Sequence, residues 1–192
     1  MELKNKERCG WVTNDEIYIN YHDTEWGEPV FEDRKLFEML LLEGFQAGLS
    51  WITILKKREN FRQAFDDFNY TKIATYNQTK LEELLHNTGI IRNRLKIESS
   101  VKNAKAFIKV REEFGTFSQY IWRFVEHQPI KNEFKNLSEV PVSTPLSDKI
   151  SKDLKKRGFK FVGTTIIYAF MQAIGMVNDH IQTCYKHPKN LN

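Results

Sequence analysis

Apolar residues recur at helical spacing along almost the whole chain, and no segment alternates apolar with polar residues at the two-residue period of a half-buried strand. This pattern predicts an all-α fold. Its clearest segments are 33–47, a long amphipathic stretch to about Phe114 that Gly115 ends, and a stretch from about Thr164 that is apolar on nearly every side. We expect the last of these at the centre of the molecule.

Capping residues predict where further helices begin. Thr79 and Glu82 have the spacing of a capping box, and Thr116 and Gln119 have the same spacing. Ser147 is placed to start a later helix. We therefore expect helices to begin at these three positions.

Length and composition restrict the class of protein. The 192 residues are 41% hydrophobic, which is enough for one compact domain or two tightly joined lobes. No amino-terminal apolar run resembles a signal peptide, and the longest apolar stretch is too short to span a bilayer, so we expect a cytoplasmic protein without a membrane segment. The two cysteines do not suggest a disulfide scaffold.

The charge distribution is compatible with nucleic-acid binding but does not require it. The formal charge is only +4, although Lys and Arg cluster at residues 55–58, 91–96 and 154–160, beside predicted loops where a phosphate backbone can be met. Each cluster is equally typical of a solvated helix face. Charge alone leaves the partner open.

The segment from 151 to 175 has the pattern of a helix, a tight hairpin and a second helix, with Gly158 and Gly163 bounding the hairpin. Glycines permit a tight backbone and leave amide N–H groups at the start of the second helix, where a phosphate can bind without any base being read. The alternative is an ordinary αα-hairpin in a helical core.

Two cysteines and two histidines stand in pairs near opposite ends of the chain: Cys9 with His22, and His180 with Cys184. The second pair is spaced i, i+4, so a helix would place both side chains on one face. The four provide the ligand set of a closed, tetrahedral zinc site that would fasten the two segments together. The spacing is not that of a zinc finger, and the other histidines compete for the role: His86, His127 and His187.

The stretch LEGFQAGLSW, residues 42–51, contains a carboxylate where charge is unexpected. On a helical wheel Glu43 falls between Leu36 and Met39, in the sector that should face the core. A buried carboxylate needs a partner, which is either a cationic or hydrogen-bonding group of the protein, most commonly Lys or Arg, or a ligand in a cavity. A flat, cationic ligand would suit the aromatic residues available to surround it: Trp11, Tyr18, Tyr21, Phe45 and Trp51.

Several long segments together resemble the 3-methyladenine DNA glycosylase I family of bacterial base-excision repair enzymes: ERCGWV, YHDTEWGEP, LLEGFQAGLSWITILKKRENFRQAF, GIIRNRLKI, LKKRGFKFVGTTI, YAFMQA and VNDH. The resemblance covers about residues 7–187. It implies an all-α helix-hairpin-helix DNA glycosylase fold with a lesion pocket between two helical lobes. These would form a single catalytic domain over 1–192, with lobes at roughly 36–140 and at 1–35 plus 141–192.

The resemblance also implies a cofactor and an assembly state. Cys9, His22, His180 and Cys184 match the family's zinc ligands, so one structural zinc ion would join the two ends of the chain. We expect a monomer.

For activity, the resemblance implies hydrolysis of the N-glycosidic bond of 3-methyladenine in double-stranded, alkylated DNA. The base would be turned out of the stack, and free 3-methyladenine and an abasic site would be the products. The alkylated nucleotide is cationic, so its base departs as a neutral molecule and needs little acid catalysis. Glu43 would favour this cation over neutral adenine. Glu43 and Tyr21 would hydrogen-bond the base edge, with Trp51 stacking on its face and Trp11 closing the pocket.

Two groups of residues match the family's DNA contacts. Gly48 and Leu49 match the loop that fills the gap left by the flipped base. The hairpin would bind phosphates beside the lesion through its amides, independently of sequence, with contacts from Gly158, Phe159, Lys160, Phe161, Gly163 and Thr164.

One departure from the wider superfamily bears on mechanism. Many helix-hairpin-helix glycosylases carry a catalytic Asp where Asn178 stands here, with Asp179 one residue later. We infer that the general base is absent and that Glu43 or the DNA phosphates supply electrostatic help. Thr164 and Thr165 stand where relatives with lyase activity carry Lys, which predicts an enzyme without lyase activity.

Two alternatives remain at this point. A non-enzymatic helix-hairpin-helix protein that binds bent or damaged DNA would not need Glu43. An enzyme that binds a free purine or nucleoside in the same aromatic box would need neither the hairpin glycines nor the basic clusters.

Overall fold

The computed structural model describes residues 6–191, which are helical over most of their length. The helices are α1 (Glu16–Thr24), α2 (Asp33–Gln46), α3 (Trp51–Ala64), α4 (Tyr70–Ile73), α5 (Gln78–His86), α6 (Arg94–Phe114), α7 (Phe117–Trp122), α8 (Pro145–Lys156) and α9 (Thr164–Ala173). The all-α prediction is confirmed, with one small departure. The segments β1 (Ile130–Lys131) and β2 (Val177–Asn178) pair in parallel, and two-residue strands are too short to show alternation.

The helix-capping predictions are partly confirmed. Thr116 caps α7 by accepting a hydrogen bond from the backbone N–H of Gln119. Helix α5, by contrast, begins after Asn77, whose side chain accepts from the N–H of Lys80, so the capping box predicted at Thr79 is wrong. Asn is at least as good an N-cap as Thr and stands two residues earlier in the chain.

Helix α8 begins at Pro145 rather than at Ser147, so that prediction is also wrong. Thr144 is the N-cap, and its hydroxyl accepts from the N–H of Ser147 at 3.1 Å while the Ser147 hydroxyl accepts from the N–H of Thr144 at 2.8 Å. Proline suits the first helical position because its missing N–H would have no helical partner there. Ser147 therefore completes a capping box from inside the helix.

Helix α2 is buried over most of its length because α3, α6, α7 and α9 pack around it. Leu36, Phe37 and Leu42 have no exposed surface. Helix α9, which also packs against α8, buries Ile167 and Phe170 completely. A side chain on the second half of α2 therefore faces either protein or a cavity.

The two ends of the described chain lie together. The N–H of Tyr185 donates to the carbonyl of Glu7 at 2.9 Å. The chain also crosses itself closely at Gly175, which has a φ of +66°. A Cβ there would lie 2.3 Å from the carbonyl carbon of Glu28, so only glycine fits at this crossing. Within residues 6–191, none of the helices combines the length and apolar character that crossing a bilayer requires.

Candidate active site

A cavity of about 440 Å³ opens among α1, α2, α3, α9 and the loop after β1. That volume falls in the range of small-molecule sites. The lining residues are Trp11, Tyr18, Tyr21, Trp26, Glu43, Gln46, Trp51, Leu137, Val140, Pro141, Val142, Thr165, Tyr168, Ala169 and Gln172. The structure thus brings together most of the residues predicted to bind the base.

Glu43 is the acidic group of this cavity. Its side chain lies on the second half of α2 and is only 3% exposed, and its Oε2 has no hydrogen-bond partner among the described residues. The alternative of a protein salt bridge is therefore wrong. The same helix shows what such a bridge looks like, because buried Glu38 accepts from Arg58 at 2.6 Å and from Arg62 at 2.9 Å.

Burial without a partner changes the acidity of this carboxyl. Loss of hydration raises the pKa of Glu43 to about 8. Tyr21, in the same cavity, has its pKa raised well above the ordinary value, first by burial and next by the charge of Glu43. The free site therefore favours a protonated Glu43 at neutral pH, and a cation in the cavity would draw that proton off.

Aromatic rings form much of the remaining wall. The ring centroid of Trp11 lies 5.4 Å from that of Tyr18 and 5.1 Å from that of Trp26, and the rings of Tyr21 and Trp51 are 5.5 Å apart. The indole Nε1 atoms of Trp11 and Trp51 are buried without an acceptor in the described part of the chain. Two unused donors therefore accompany the unused carboxylate oxygen.

Phe45 was predicted to belong to this aromatic wall, and the structure places it elsewhere. Its ring packs in the core with its centroid 4.8 Å from that of Phe61 and 5.7 Å from that of Phe65. The reason is helical geometry: Phe45 is two residues from Glu43, which rotates it roughly 200° around α2 and onto the opposite face.

Sequence reasoning missed the wall that α9 provides. Thr165, Tyr168, Ala169 and Gln172 line the cavity at spacings of three and four residues, so they share one helix face. That spacing, in a helix already expected to be central, was a usable signal. The loop residues Leu137, Val140, Pro141 and Val142 have no periodicity, so their place in the cavity could not be predicted from the sequence.

Asp179 lies behind this wall and is 1% exposed. Its carboxylate accepts from Asn132 at 2.7 Å, from the hydroxyl of Tyr168 at 2.6 Å and from Gln172 at 2.8 Å. The side-chain oxygen of Asn178 accepts from the N–H of His180. Neither residue is among those that line the cavity, and the shifted register predicts this for Asp179.

Gly48 and Leu49 lie in the turn between α2 and α3. Gly48 has a φ of +82°, which favours glycine, and the Leu49 side chain is 41% exposed at the surface. Trp51 follows as the first residue of α3. The turn therefore presents an apolar side chain to solvent beside the cavity that contains Glu43.

The predicted hairpin is present between α8 and α9, but its residues differ in what they can contact. Phe159 is buried, and its backbone N–H donates to the carbonyl of Leu154 at 3.1 Å, so neither its ring nor its amide is available to DNA, contrary to expectation. The backbone of Lys160 is held on both sides by Asn103, whose side chain accepts from its N–H at 2.7 Å and donates to its carbonyl at 3.0 Å. The Lys160 side chain remains exposed.

Only one of the two hairpin glycines has a left-handed backbone. Gly158 has a φ of +96°, but Gly163 has a φ of −61° and caps α9 from an extended conformation. Phe161 takes the second left-handed position, with a φ of +54°, and packs its Cβ on Gly44. The hydroxyl of Thr164 is hydrogen-bonded to that of Ser147 at 2.8 Å.

The basic clusters offer fewer free cations than the sequence indicated. Arg58 is buried between Glu25 and Glu38, Lys57 donates to the carbonyls of residues 88 and 89, and Arg94 pairs with Glu82. The cluster at 154–160 keeps exposed lysines at 155, 156 and 160.

The side chains of Cys9, His22, His180 and Cys184 meet in one buried group, with their candidate ligand atoms all within 4.8 Å of one another. The Cys9 sulfur is 3.5 Å from Nδ1 of His180, and the Cys184 sulfur is 3.4 Å from Nε2 of His22 and from Nδ1 of His180. These separations match the roughly 3.5 Å edge of a tetrahedron built on zinc–sulfur and zinc–nitrogen bonds.

The second ring nitrogen of each histidine in this group is also engaged. Nδ1 of His22 is 2.8 Å from the Asp23 carboxylate, and Nε2 of His180 is 3.1 Å from the carbonyl of Trp26. Such contacts orient imidazole ligands toward a metal. The competing histidines, His86, His127 and His187, are not in the group.

The helical fold, the hairpin between α8 and α9, and a base-sized cavity with a buried acid among aromatic rings define the class: a helix-hairpin-helix DNA glycosylase. A sequence model of the methyladenine glycosylase family matches residues 11–187. The chain belongs to that family.

Individual relatives agree over almost the full chain. DNA-3-methyladenine glycosylase 1 of Escherichia coli K12 is 53% identical over 184 residues, which are 96% of this chain and 98% of that protein. A crystal structure of 3-methyladenine DNA glycosylase I superposes with a TM-score of 0.91 at 55% identity and covers 95% of this chain and 100% of that one. The Staphylococcus aureus enzyme, solved to explain 3-methyladenine recognition, gives a TM-score of 0.91 at 35% identity, covering 94% and 96%.

Proposed function

We propose that this protein removes 3-methyladenine from double-stranded, alkylated DNA by hydrolysing the N-glycosidic bond, releasing the free base and leaving an abasic site. One observation carries the proposal: a buried carboxylate, Glu43, has an oxygen without a partner among residues 6–191, in a cavity walled by aromatic rings. The named activity of relatives that match over nearly the whole chain supports it. A base reaches such a cavity only when it is turned out of the duplex.

Electrostatics decide which base this cavity holds best. The methylated nucleotide is cationic, and a unit charge about 4 Å from a carboxylate gains roughly 4 kcal/mol at an effective dielectric of about 20. With a pKa of about 8, Glu43 costs about 1 kcal/mol to ionise at pH 7. The attraction exceeds the cost of ionisation by about 3 kcal/mol, and this difference favours the cationic lesion over neutral adenine.

The neighbouring side chains have distinct roles in this proposal. Tyr21 shares the hydrogen-bonding of the base edge with Glu43, and Trp51 stacks on the base face. Trp11 closes the pocket beside Trp26. Support comes from their joint presence in the cavity lining.

In this proposal the protein contacts the DNA duplex outside the cavity. Leu49, exposed on the turn after α2, fills the space that the base vacates. Backbone amides at the start of α9, from Gly163 and Thr164, bind a phosphate beside the lesion, since a helix N-terminus favours an anion. We propose that the protein acts as a monomer.

Little proton transfer is needed for the chemistry. The cationic base leaves as a neutral molecule when the N-glycosidic bond breaks, and the carboxylate of Glu43 stabilises the charge that precedes departure. Asp179 is enclosed by three hydrogen-bond donors and is not placed to activate water. With threonines at 164 and 165 and no lysine there, hydrolysis proceeds without strand cleavage.

We propose zinc as the metal of the Cys9, His22, His180 and Cys184 group. Two thiols and two imidazoles are a closed zinc ligand set, and the pKa of Cys184 is lowered, mainly by its interaction with Cys9, so a thiolate is favoured. When bound, the ion supplies a structural cross-link rather than reactivity. Metal analysis of the purified protein tests this, and a zinc content far below one per chain would contradict it.

The decisive experiment is release of free 3-methyladenine from methylated duplex DNA. E43Q should lower single-turnover release on the order of 100-fold, which corresponds to the difference of about 3 kcal/mol. E59Q is the matched control, because Glu59 is an exposed acid on α3. No release by the wild type would refute the proposed function, whereas equal release by E43Q would refute recognition by charge.

A further inference from the structure

The turn that carries Leu49 is fastened to the rest of the molecule by a buried lysine. Nζ of Lys96 donates to the carbonyl of Phe45 at 2.9 Å and to the carbonyl of Ala47 at 2.7 Å. Phe45 lies in the last turn of α2, whereas Ala47 is the first residue beyond that helix. One ammonium group therefore bridges the helix and the turn that follows it.

The position of this lysine is itself well fixed. Lys96 lies in the first turn of α6, where its N–H donates to the side chain of the capping residue Asn93 at 3.1 Å. Its side chain is 8% exposed, and the structure gives it no carboxylate partner within residues 6–191. Its charge is balanced instead by the carbonyls that the end of α2 leaves without helical partners.

The turn has few other constraints. The N–H of Leu49 donates to the carbonyl of Gln46 at 2.6 Å, and the hydroxyl of Ser50 is 2.7 Å from that of Thr53. A Cβ at Gly48 would meet no atom within 4 Å, so packing does not hold the turn at that residue. Lys96 ties the turn to α6, a helix that does not adjoin the turn in the chain.

We propose that Lys96 is a positioning residue for base excision: it holds the turn at 47–50 so that Leu49 enters the duplex at the place that the lesion leaves. This inference rests on the proposed function and adds to it a residue that does not touch the base. The sequence placed Lys96 in a cluster suited to DNA phosphates, but its ammonium group points inward and acts through the protein.

The fastened turn lies between two residues of the cavity. Glu43 lies two residues before Phe45 and four before Ala47, and Trp51 begins the helix that follows the turn. If the bridge is lost, Leu49 can move while the cavity wall keeps its own packing. Excision from duplex DNA should therefore suffer more than binding of the free base.

The test compares K96M, which keeps the aliphatic stem and removes the donors, with K96R and with K102M. Lys102 is exposed on the same helix, so K102M removes the same charge without touching the turn. We expect K96M to lower single-turnover excision from duplex DNA at least 10-fold and to leave affinity for free 3-methyladenine within 2-fold of wild type. K96R and K102M should stay within 3-fold in both measurements.

A double-mutant cycle separates positioning from general destabilisation. If Lys96 acts through Leu49, K96M combined with L49A should excise no more than 2-fold more slowly than L49A alone. Independent, multiplied losses would overturn the proposal, and so would K96M excising at the wild-type rate. Should K96M fail to reach wild-type helical content by circular dichroism, K96Q replaces it and is judged by the same criteria. A wild type that releases no 3-methyladenine refutes the proposed function instead.

Discussion

Replacing Glu43 with Gln should make the protein more stable in alkaline solution while changing its stability in acid very little. Burial raises the pKa of this carboxyl from 4.5 to about 8. The folded protein therefore holds the proton more tightly than the unfolded chain does, so the free energy of unfolding falls as the pH rises from about 4.5 to about 8. Below that window the acid is protonated in both states, so its ionisation no longer affects the free energy of unfolding.

The magnitude follows from the size of the pKa shift. Each pKa unit corresponds to roughly 1.4 kcal/mol, so the shift from 4.5 to about 8 costs about 5 kcal/mol of stability above pH 8 and about 3 kcal/mol at pH 7. Glutamine has no proton to lose at this position. The stability of E43Q relative to wild type should therefore increase by about 4 kcal/mol between pH 5 and pH 9.

Urea-induced unfolding followed by circular dichroism measures this difference at each pH. The E59Q variant is the control, since an exposed acid should give a difference that hardly depends on pH. If the difference between E43Q and wild type were the same at pH 5 and pH 9, Glu43 would have to be hydrated or paired in the folded protein. Reasoning from its unpartnered oxygen would then be wrong.

Three further predictions concern stability away from Glu43. C184S should lower the free energy of unfolding in zinc-containing buffer by at least about 3 kcal/mol. A chelator should destabilise the wild type much more than this variant, and equal effects of the chelator on the two proteins would argue against a metal site. R58M should lower the free energy of unfolding in urea by roughly 1.5–3 kcal/mol, because the buried carboxylate of Glu38 loses its 2.6 Å partner and keeps only Arg62, and a loss below about 0.5 kcal/mol would contradict that. F45A should lower the free energy of unfolding by about 3–5 kcal/mol because it leaves a cavity in the core, and the affinity for free 3-methyladenine should be unchanged. A large change in that affinity would indicate that Phe45 contributes to the base-binding site.

What the sequence could predict followed from periodicity and from the cost of burying charge. The helical wheel placed Glu43 toward the interior, and that direction held because α2 is packed on all sides. Residue chemistry identified Cys9 and Cys184 as a pair with two histidines across the length of the chain, and the structure brings the four together. Both inferences used properties that do not depend on a residue's neighbours in space: its position around a helix and the chemistry of its side chain.

The errors share a different cause: where a side chain points depends on its surroundings. Phe45 is close to Glu43 in sequence yet faces the other side of α2. Arg58 and Lys96 carry charges that the sequence assigned to solvent or DNA, but each long side chain reaches back to an acid or a carbonyl inside the protein. Asn77 displaced Thr79 as a cap because two good candidates stood close together. Such choices are settled by three-dimensional contacts.

The meeting of Cys9 and His22 with His180 and Cys184 has a consequence for synthesis on the ribosome. The cavity wall formed by Trp11, Tyr18 and Tyr21 precedes His180 and Cys184 by more than 150 positions, so the ribosome adds these two members of the group long after the wall residues. A nascent chain that has not yet reached Cys184 lacks the complete group. The aromatic wall therefore waits for its anchor until residues far downstream have been translated.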